Sequence, residues 1–160
     1  MGDETLGEIQ VVPIGEEYIE GFHRCLDSVA RERRYLAFLQ APPLASVQQW
    51  VRGNIASQVP QVVAIQNKEV VGWCDISPHE REGFTHGGEL GMGVRRDVRR
   101  RGIGTRLVEE ALRSAKERGL ERIELEVLAS NTPAIKLYEN MGFVIEGVKR
   151  KARKLDGQYD

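Results

Sequence analysis

Arg99-Arg100-Arg101-Gly102-Ile103-Gly104-Thr105 joins an extended run, about Gly88 to Val94, to the strongest helical pattern of the chain. From Ile103 onward Leu107, Val108, Ala111, Leu112 and Ala115 recur at helical intervals, and Gly119 is a natural left-handed terminator. Ile123, Leu125 and Val127 then alternate with Arg122, Glu124 and Glu126, which predicts a strand with one apolar face. Strand, helix and strand in that order make an α/β unit, and the two strands flanking the helix at 102–118 are expected to be parallel. At the joint, the backbone N–H groups of the helix start have no partner inside the helix, so they form an anion site. Gly102 and Gly104 let a ligand approach without Cβ obstruction, and three arginines favour several negative charges, as on a pyrophosphate. The segment is neither a Walker A loop nor GxGxxG, and taken alone it equally describes a tight turn with solvated arginines.

Outward from this segment the pattern stays mixed. The first six residues look frayed, and Glu8 to Ile14 alternates as a strand that Pro13 confines to a sheet edge. A helix is predicted from Glu16 to about Leu39, stopped by Ala41-Pro42-Pro43, and a second from a Ser46 N-cap to about Ser57, with Pro60 at its exit. Gln61 to Gln66 and Glu69 to Ile76 read as antiparallel strands, joined by Asn67-Lys68 at hairpin spacing. Ser77 to Gly87 reads as an exposed loop. Thr132 to Asn140 is expected to be helical, with Pro133 in its first turn and Gly142 closing it, and Phe143-Val144-Ile145 starts another strand.

Composition narrows the classes. At 160 residues the chain has the length of one domain, and 41% hydrophobic with 29% charged residues argues against disorder. Lys plus Arg number 23 against 24 Asp plus Glu, a net charge of −1, so the global basic field of a dedicated nucleic-acid binder is missing and nucleic acid is not expected as a partner. No run approaches the roughly 18 apolar residues of a membrane span, and Met1 to Gln10 lacks an apolar signal core, so a cytoplasmic protein without a membrane partner is expected. Cys25 and Cys74 have no metal-ligand spacing and read as free packing thiols; no metal site is expected.

Arg99-Arg100-Arg101-Gly102-Ile103-Gly104 resembles the acetyl-CoA loop of the GNAT superfamily of N-acetyltransferases, written Arg/Gln-x-x-Gly-x-Gly/Ala. Glu89-Leu90-Gly91-Met92-Gly93-Val94 is similar to that family's central strand, and Asn131 to Phe143 to its second cofactor-contacting block. The resemblance covers about Val62 to Val148. It implies a single α/β (α+β) domain over 1–160, with a mixed, mostly antiparallel sheet, a splayed parallel pair at its centre and flanking helices. Residues 15–60 would then be acceptor-side helices and 88–148 the acetyl-CoA-binding core. Gly72-Trp73 and Gly142-Phe143-Val144-Ile145-Glu146-Gly147 resemble the branch that acetylates polyamines, amino acids and ribosomal-protein N-termini. One departure stands out: the family ends in a further strand, and here the chain stops at Tyr159-Asp160 where that strand would start.

The resemblance implies acetyl transfer from acetyl-CoA to a primary amine of a small molecule or a peptide N-terminus by direct attack, with no metal. Met92, Gly93 and Val94 would hold the thioester carbonyl through a backbone N–H, a preorganised donor. Arg99, Arg100, Arg101, Gly102, Ile103, Gly104 and Thr105 would hold the pyrophosphate. Asn131 either caps its helix or bonds the pantetheine arm. Tyr138 matches the family's general acid; its reference pKa of about 10 lies above the thiol's of about 8.5, so positioning must do most of the work. Outside the resemblance, Tyr138 reads as a ring packed beside Phe143. A base must deprotonate the ammonium, and Glu89 is the first choice, with Asp75, His86, Glu124 and Glu126 as alternatives. Arg31 to Arg34 reads as a solvated helix surface, and Lys149 to Lys154 as a Lys-rich edge strand that also allows an RNA contact. A non-catalytic acyl-CoA-binding module is the alternative function, and exposed sheet edges allow a homodimer.

Overall fold

Five strands, β1 (Gln10–Pro13), β2 (Gln61–Gln66), β3 (Glu69–Pro78), β4 (Gly87–Val94) and β5 (Arg122–Glu124), form one sheet in sequence order in a computed structural model. The structure describes residues 7–160, so the expected fraying of residues 1–6 lies outside the described residues. Every pairing is antiparallel except β4 with β5, which is parallel as the intervening helix α3 (Ile103–Glu117) requires. Helices α1 (Ile19–Ala30), α2 (Leu44–Ala56) and α4 (Thr132–Asn140) complete the mixed α/β fold. The Cα packing separates Met1–Leu125 from Glu126–Asp160.

In the first unit, Pro13 sits on the edge strand, where its missing N–H costs no ladder bond. Asn67 and Lys68 both take positive φ, 50° and 65°, the conformation of a two-residue hairpin turn. Side chains alternate across the sheet, so the two faces of β3 bury different partners. Leu107 of α3, itself fully buried, lies 3.0 Å from where a Gly72 Cβ would stand, and Cys74 and Ile76 belong to that same face by alternation. On the opposite face Trp73 meets Phe22 of α1 edge-to-face, ring centroids 5.8 Å apart, in a core that includes Val29, Val47, Val51 and Val63.

The first helix is shorter than the pattern predicts. After a 3-10 turn at Glu16–Tyr18, α1 runs only to Ala30, and residues 31–40 form bends rather than a helix reaching Leu39. Tertiary contacts outweigh helical propensity here. Arg33 turns to φ 60°, Asp27 Oδ1 accepts the Ala41 N–H at 2.9 Å, and Glu32 is drawn to Arg99. The expected solvated helix surface at Arg31–Arg34 is therefore a folded-back segment. Ser46 is not the N-cap of α2: the helix starts at Leu44, and the Pro43 carbonyl accepts from the Ser46 and Val47 N–H groups.

The second unit departs further from the pattern. The expected strand through Val127 pairs only over Arg122–Glu124, and Phe143 to Ile145 forms no strand. Val144 and Ile145 are 81% and 66% exposed, and without a hydrogen-bonded neighbour an apolar run has no ladder to join. The chain ends in a small hairpin, β6 (Lys154–Leu155) with β7 (Gln158–Tyr159), turned by Asp156 and Gly157 at positive φ. Its basic residues have local partners: Lys149 pairs with Glu126, and Lys151 and Lys154 lie over the Tyr159 ring.

Candidate active site

The face of the β3–β4 pair that carries Trp73 also carries the acids. Trp73 stands opposite Gly93, Asp75 opposite Gly91, and Ser77 opposite Glu89, and directly opposed residues share a face. The neighbours require a glycine at 93 and leave room for a Cβ at 91. A Cβ on Gly93 would overlap the Trp73 ring, and one on Gly91 would lie 3.6 Å from Asp75 Oδ1. Asp75 is buried, and burial, together with the charge of Glu89, pushes its pKa up to about 7. Glu89 itself is exposed. Across the β2–β3 ladder from Asp75 stands Gln61, whose Oε1 accepts from Asn54 and whose buried Nε2 has no partner.

The edge of β4 that faces β5 is paired over only part of its length. The parallel ladder stops at Glu89↔Glu124, while pairing with β3 continues to Val94. Leu90 to Val94 therefore have no strand partner on that side in the first unit. Met92, Gly93 and Val94 lie in this segment and are half-buried. An incoming chain of amides can pair with such an edge as another strand would.

Beyond β4 the glycine joint takes the form its pattern implies. Arg100 and Gly102 are at φ 65° and 75°, and α3 starts at Ile103 with no side-chain cap. The first helical N–H groups, those of Ile103, Gly104 and Thr105, are left to an outside acceptor. A Cβ on Gly102 would meet nothing within 4 Å, so that glycine serves the left-handed turn and leaves open space in front of it. The three arginines do not act alike. Arg100 and Arg101 are exposed, whereas Arg99 bonds Glu32 through Nη1 at 2.7 Å, the Val94 carbonyl through Nε at 2.9 Å, and stacks over Tyr35.

Tyr138 and Asn131 belong to the second unit. Tyr138 is buried on α4 and packs edge-to-face on Phe143, centroids 5.7 Å apart. Asn131 caps α4, its Oδ1 accepting the Ala134 N–H at 3.3 Å. Of the alternative bases, Glu124 bonds His79 at 3.1 Å, Glu126 pairs with Lys149, and His86 sits exposed in the loop before β4.

A cavity of about 350 Å³ has Trp73 in its wall, with Phe22, Leu26, Phe38, Val47 and Trp50 among the other lining residues. Sequence reasoning missed this cavity because its walls come from α1, the 31–40 bend, α2 and β3. It also missed Glu32, since nothing in Arg31-Glu32-Arg33 marks one acid as a partner for Arg99. Asp75 did carry a signal: an acid inside an otherwise apolar strand.

Residues 22–143 match the Acetyltransferase (GNAT) family. The chain belongs to that family. An L-amino acid N-acetyltransferase of Escherichia coli is 33% identical over 63% of this chain and 63% of its own length. An N-alpha-acetyltransferase of Saccharolobus solfataricus is 36% identical over 61% of this chain and 60% of its own. The chain thus spans about three-fifths of those two relatives. A phosphinothricin acetyltransferase from Sinorhizobium meliloti, solved in complex with acetyl-CoA, superposes with a TM-score of 0.87 over 94% of this chain and 83% of that one, at 16% identity. At that identity the likeness is one of fold, and it is the mixed fold with the parallel β4–β5 pair. Among the described residues no helix is long and apolar enough to cross a membrane, and no group of three or more His, Cys, Asp or Glu is placed to hold a metal. Cys25 and Cys74 are free and buried.

Proposed function

We propose that this GNAT chain is an acetyl-CoA-dependent N-acetyltransferase that acetylates a primary amine of a small molecule or a polypeptide N-terminus. The observation that carries the proposal is the unequal pairing of β4, closed by β3 to Val94 and open towards β5 after Glu89, directly ahead of an uncapped helix start at Gly102. Such an arrangement offers a thioester-bearing arm a line of backbone partners and its pyrophosphate a set of N–H donors. The Ile103, Gly104 and Thr105 N–H groups, with Arg100 and Arg101, would hold the phosphates. Arg99 would act by pinning the 31–40 segment to the end of β4, because its guanidinium is already committed.

Acetyl-CoA supplies an activated acyl group, and the chain must orient it, deprotonate the amine and protonate the thiolate. A β4 backbone N–H at Met92, Gly93 or Val94 would polarise the carbonyl. Glu89, exposed on β4, would accept the ammonium proton directly or through water, and Tyr138 would donate to the sulfur. Both relatives named above carry N-acetyltransferase names, which supports this class over a purely cofactor-binding module.

Calorimetric titration with acetyl-CoA, followed by thiol release against a panel of amines, tests the proposal. Binding with turnover is expected, and absence of binding overturns it. Tyr138→Phe should lower turnover about 100-fold or more with acetyl-CoA affinity kept within about twofold, since general acid catalysis contributes on that scale; unchanged turnover removes Tyr138 as the acid. A cytoplasmic setting and a homodimer form part of the same proposal, to be checked by fractionation and light scattering.

A further inference from the structure

The cavity is joined to the acids through Trp73, which lines the one and shares a sheet face with the other, and the two ask for opposite ends of one ligand. Trp73 forms a wall of the cavity and at the same time covers Gly93 on β4. Two residues further along β3, about 7 Å away on the same face, stands Asp75, and Glu89 follows on the neighbouring strand. Of its eight lining residues only Ser46 has a polar aliphatic side chain, and Phe22, Leu26, Phe38, Val47 and the rings of Trp50 and Trp73 make the rest an apolar wall with no charged group. Asp75 and Glu89 offer the reverse, one carboxyl group on β3 opposite Gly91 and one on β4 itself, the strand on which acetyl transfer is proposed.

From this juxtaposition we infer that the acceptor is a primary α-amine bearing a bulky apolar side chain and no free carboxylate beside it. This rests on the acetyltransferase reading of β4. The side chain enters between Trp50 and Trp73, and the ammonium rests over Gly91 within reach of Asp75 and Glu89. A branched aliphatic, thioether or aromatic side chain suits the cavity's apolar wall. A carboxylate on the adjacent carbon would be brought against Glu89 and would add negative charge beside Asp75, whose own charged form burial and Glu89 already disfavour. The ligand class is therefore the first residue of a polypeptide, or its amide, rather than a free amino acid.

The protein carries its own reporters. The chain has two tryptophans, Trp50 and Trp73, and both line the cavity. Intrinsic tryptophan fluorescence of the full chain should shift saturably with L-leucinamide, respond at least about 10-fold more weakly to glycinamide, to free L-leucine and to 4-methylpentanamide, which lacks the amine, and lose the leucinamide response in Ser46→Arg. Ser46 is exposed at the cavity mouth, so that variant fills the entrance without touching the core. Equal responses to leucinamide and glycinamide overturn the side-chain assignment. Free leucine binding as tightly as leucinamide overturns the exclusion of a carboxylate, and 4-methylpentanamide binding equally well overturns the ammonium site. Acetyl-CoA titration of the same preparation separates the two proposals. Cofactor binding with silent tryptophans sinks the cavity inference alone, and a tryptophan response without cofactor binding sinks the acetyltransferase reading while the cavity stands.

Discussion

The two faces of the β3–β4 pair share one ladder and differ in what they meet. On one, Gly72, Cys74 and Ile76 are sealed by Leu107 and the rest of the apolar side of α3. On the other, Trp73 is covered by α1, but the next positions, Asp75, Gly91 and Glu89, have side chains too small or too polar to build a core. Burial of apolar area gives the closed face its stability. The open face holds a charge it would be more stable without, as expected where a fold places chemistry at some cost in stability.

Four measurements separate the two faces. Leu107→Ala on the closed face removes a fully buried side chain and should cost about 3–5 kcal/mol in urea unfolding; a loss below about 1 kcal/mol would mean that α3 does not seal that face. On the open face, Asp75 has a folded pKa raised to about 7 from 3.8. Both states are protonated at low pH; between the two values the unfolded chain loses the proton first, so stability should fall as pH rises through that window, by about 4 kcal/mol in total, and level off above it. Asp75→Asn should flatten the profile between pH 4 and 7, and a variant with the same slope as the parent would show the carboxyl is not the source. Gly93→Ala forces the Trp73 ring to move and should cost about 1–3 kcal/mol, with a change in tryptophan emission that Gly91→Ala, at 3.6 Å from Asp75, does not produce. Smallest, Arg52→Ala breaks the fully exposed pair with Glu16 and should leave the melting temperature unchanged.

Local signals were legible where local chemistry decides. Asn67-Lys68 announced its hairpin, Pro13 its edge, and Gly102 its left-handed turn, because each rests on a backbone preference of one or two residues. Gly119 closed α3 for the same reason. Helix length was not legible at α1, where propensity runs on to Leu39 but Glu32 and Asp27 are taken by Arg99 and the Ala41 N–H. Strand formation was not legible at Phe143 to Ile145, since alternation describes a strand's faces and not whether a neighbour exists to pair with it.

At the candidate site the division is similar. The anion-binding joint at Arg99–Thr105 and the acid at Glu89 were visible as residues, but the different employment of Arg99 from that of Arg100 and Arg101 was not. Asp75 was one acid among several until burial set it apart. The cavity had no sequence signature, because Phe22, Phe38, Trp50 and Trp73 come from four separate segments of the chain.

The order of elements from β1 to α4, the parallel pair around α3, the glycine turn and the GNAT family were written in the sequence, all properties carried by neighbours in the chain. Only the tertiary structure decided which face of β3 is sealed and which is open, where β4 parts from β5, that Arg99 is held by Glu32, and that two tryptophans meet beside two acids. Those depend on side chains distant in sequence competing for the same space and the same charges, and no local pattern records the outcome of that competition.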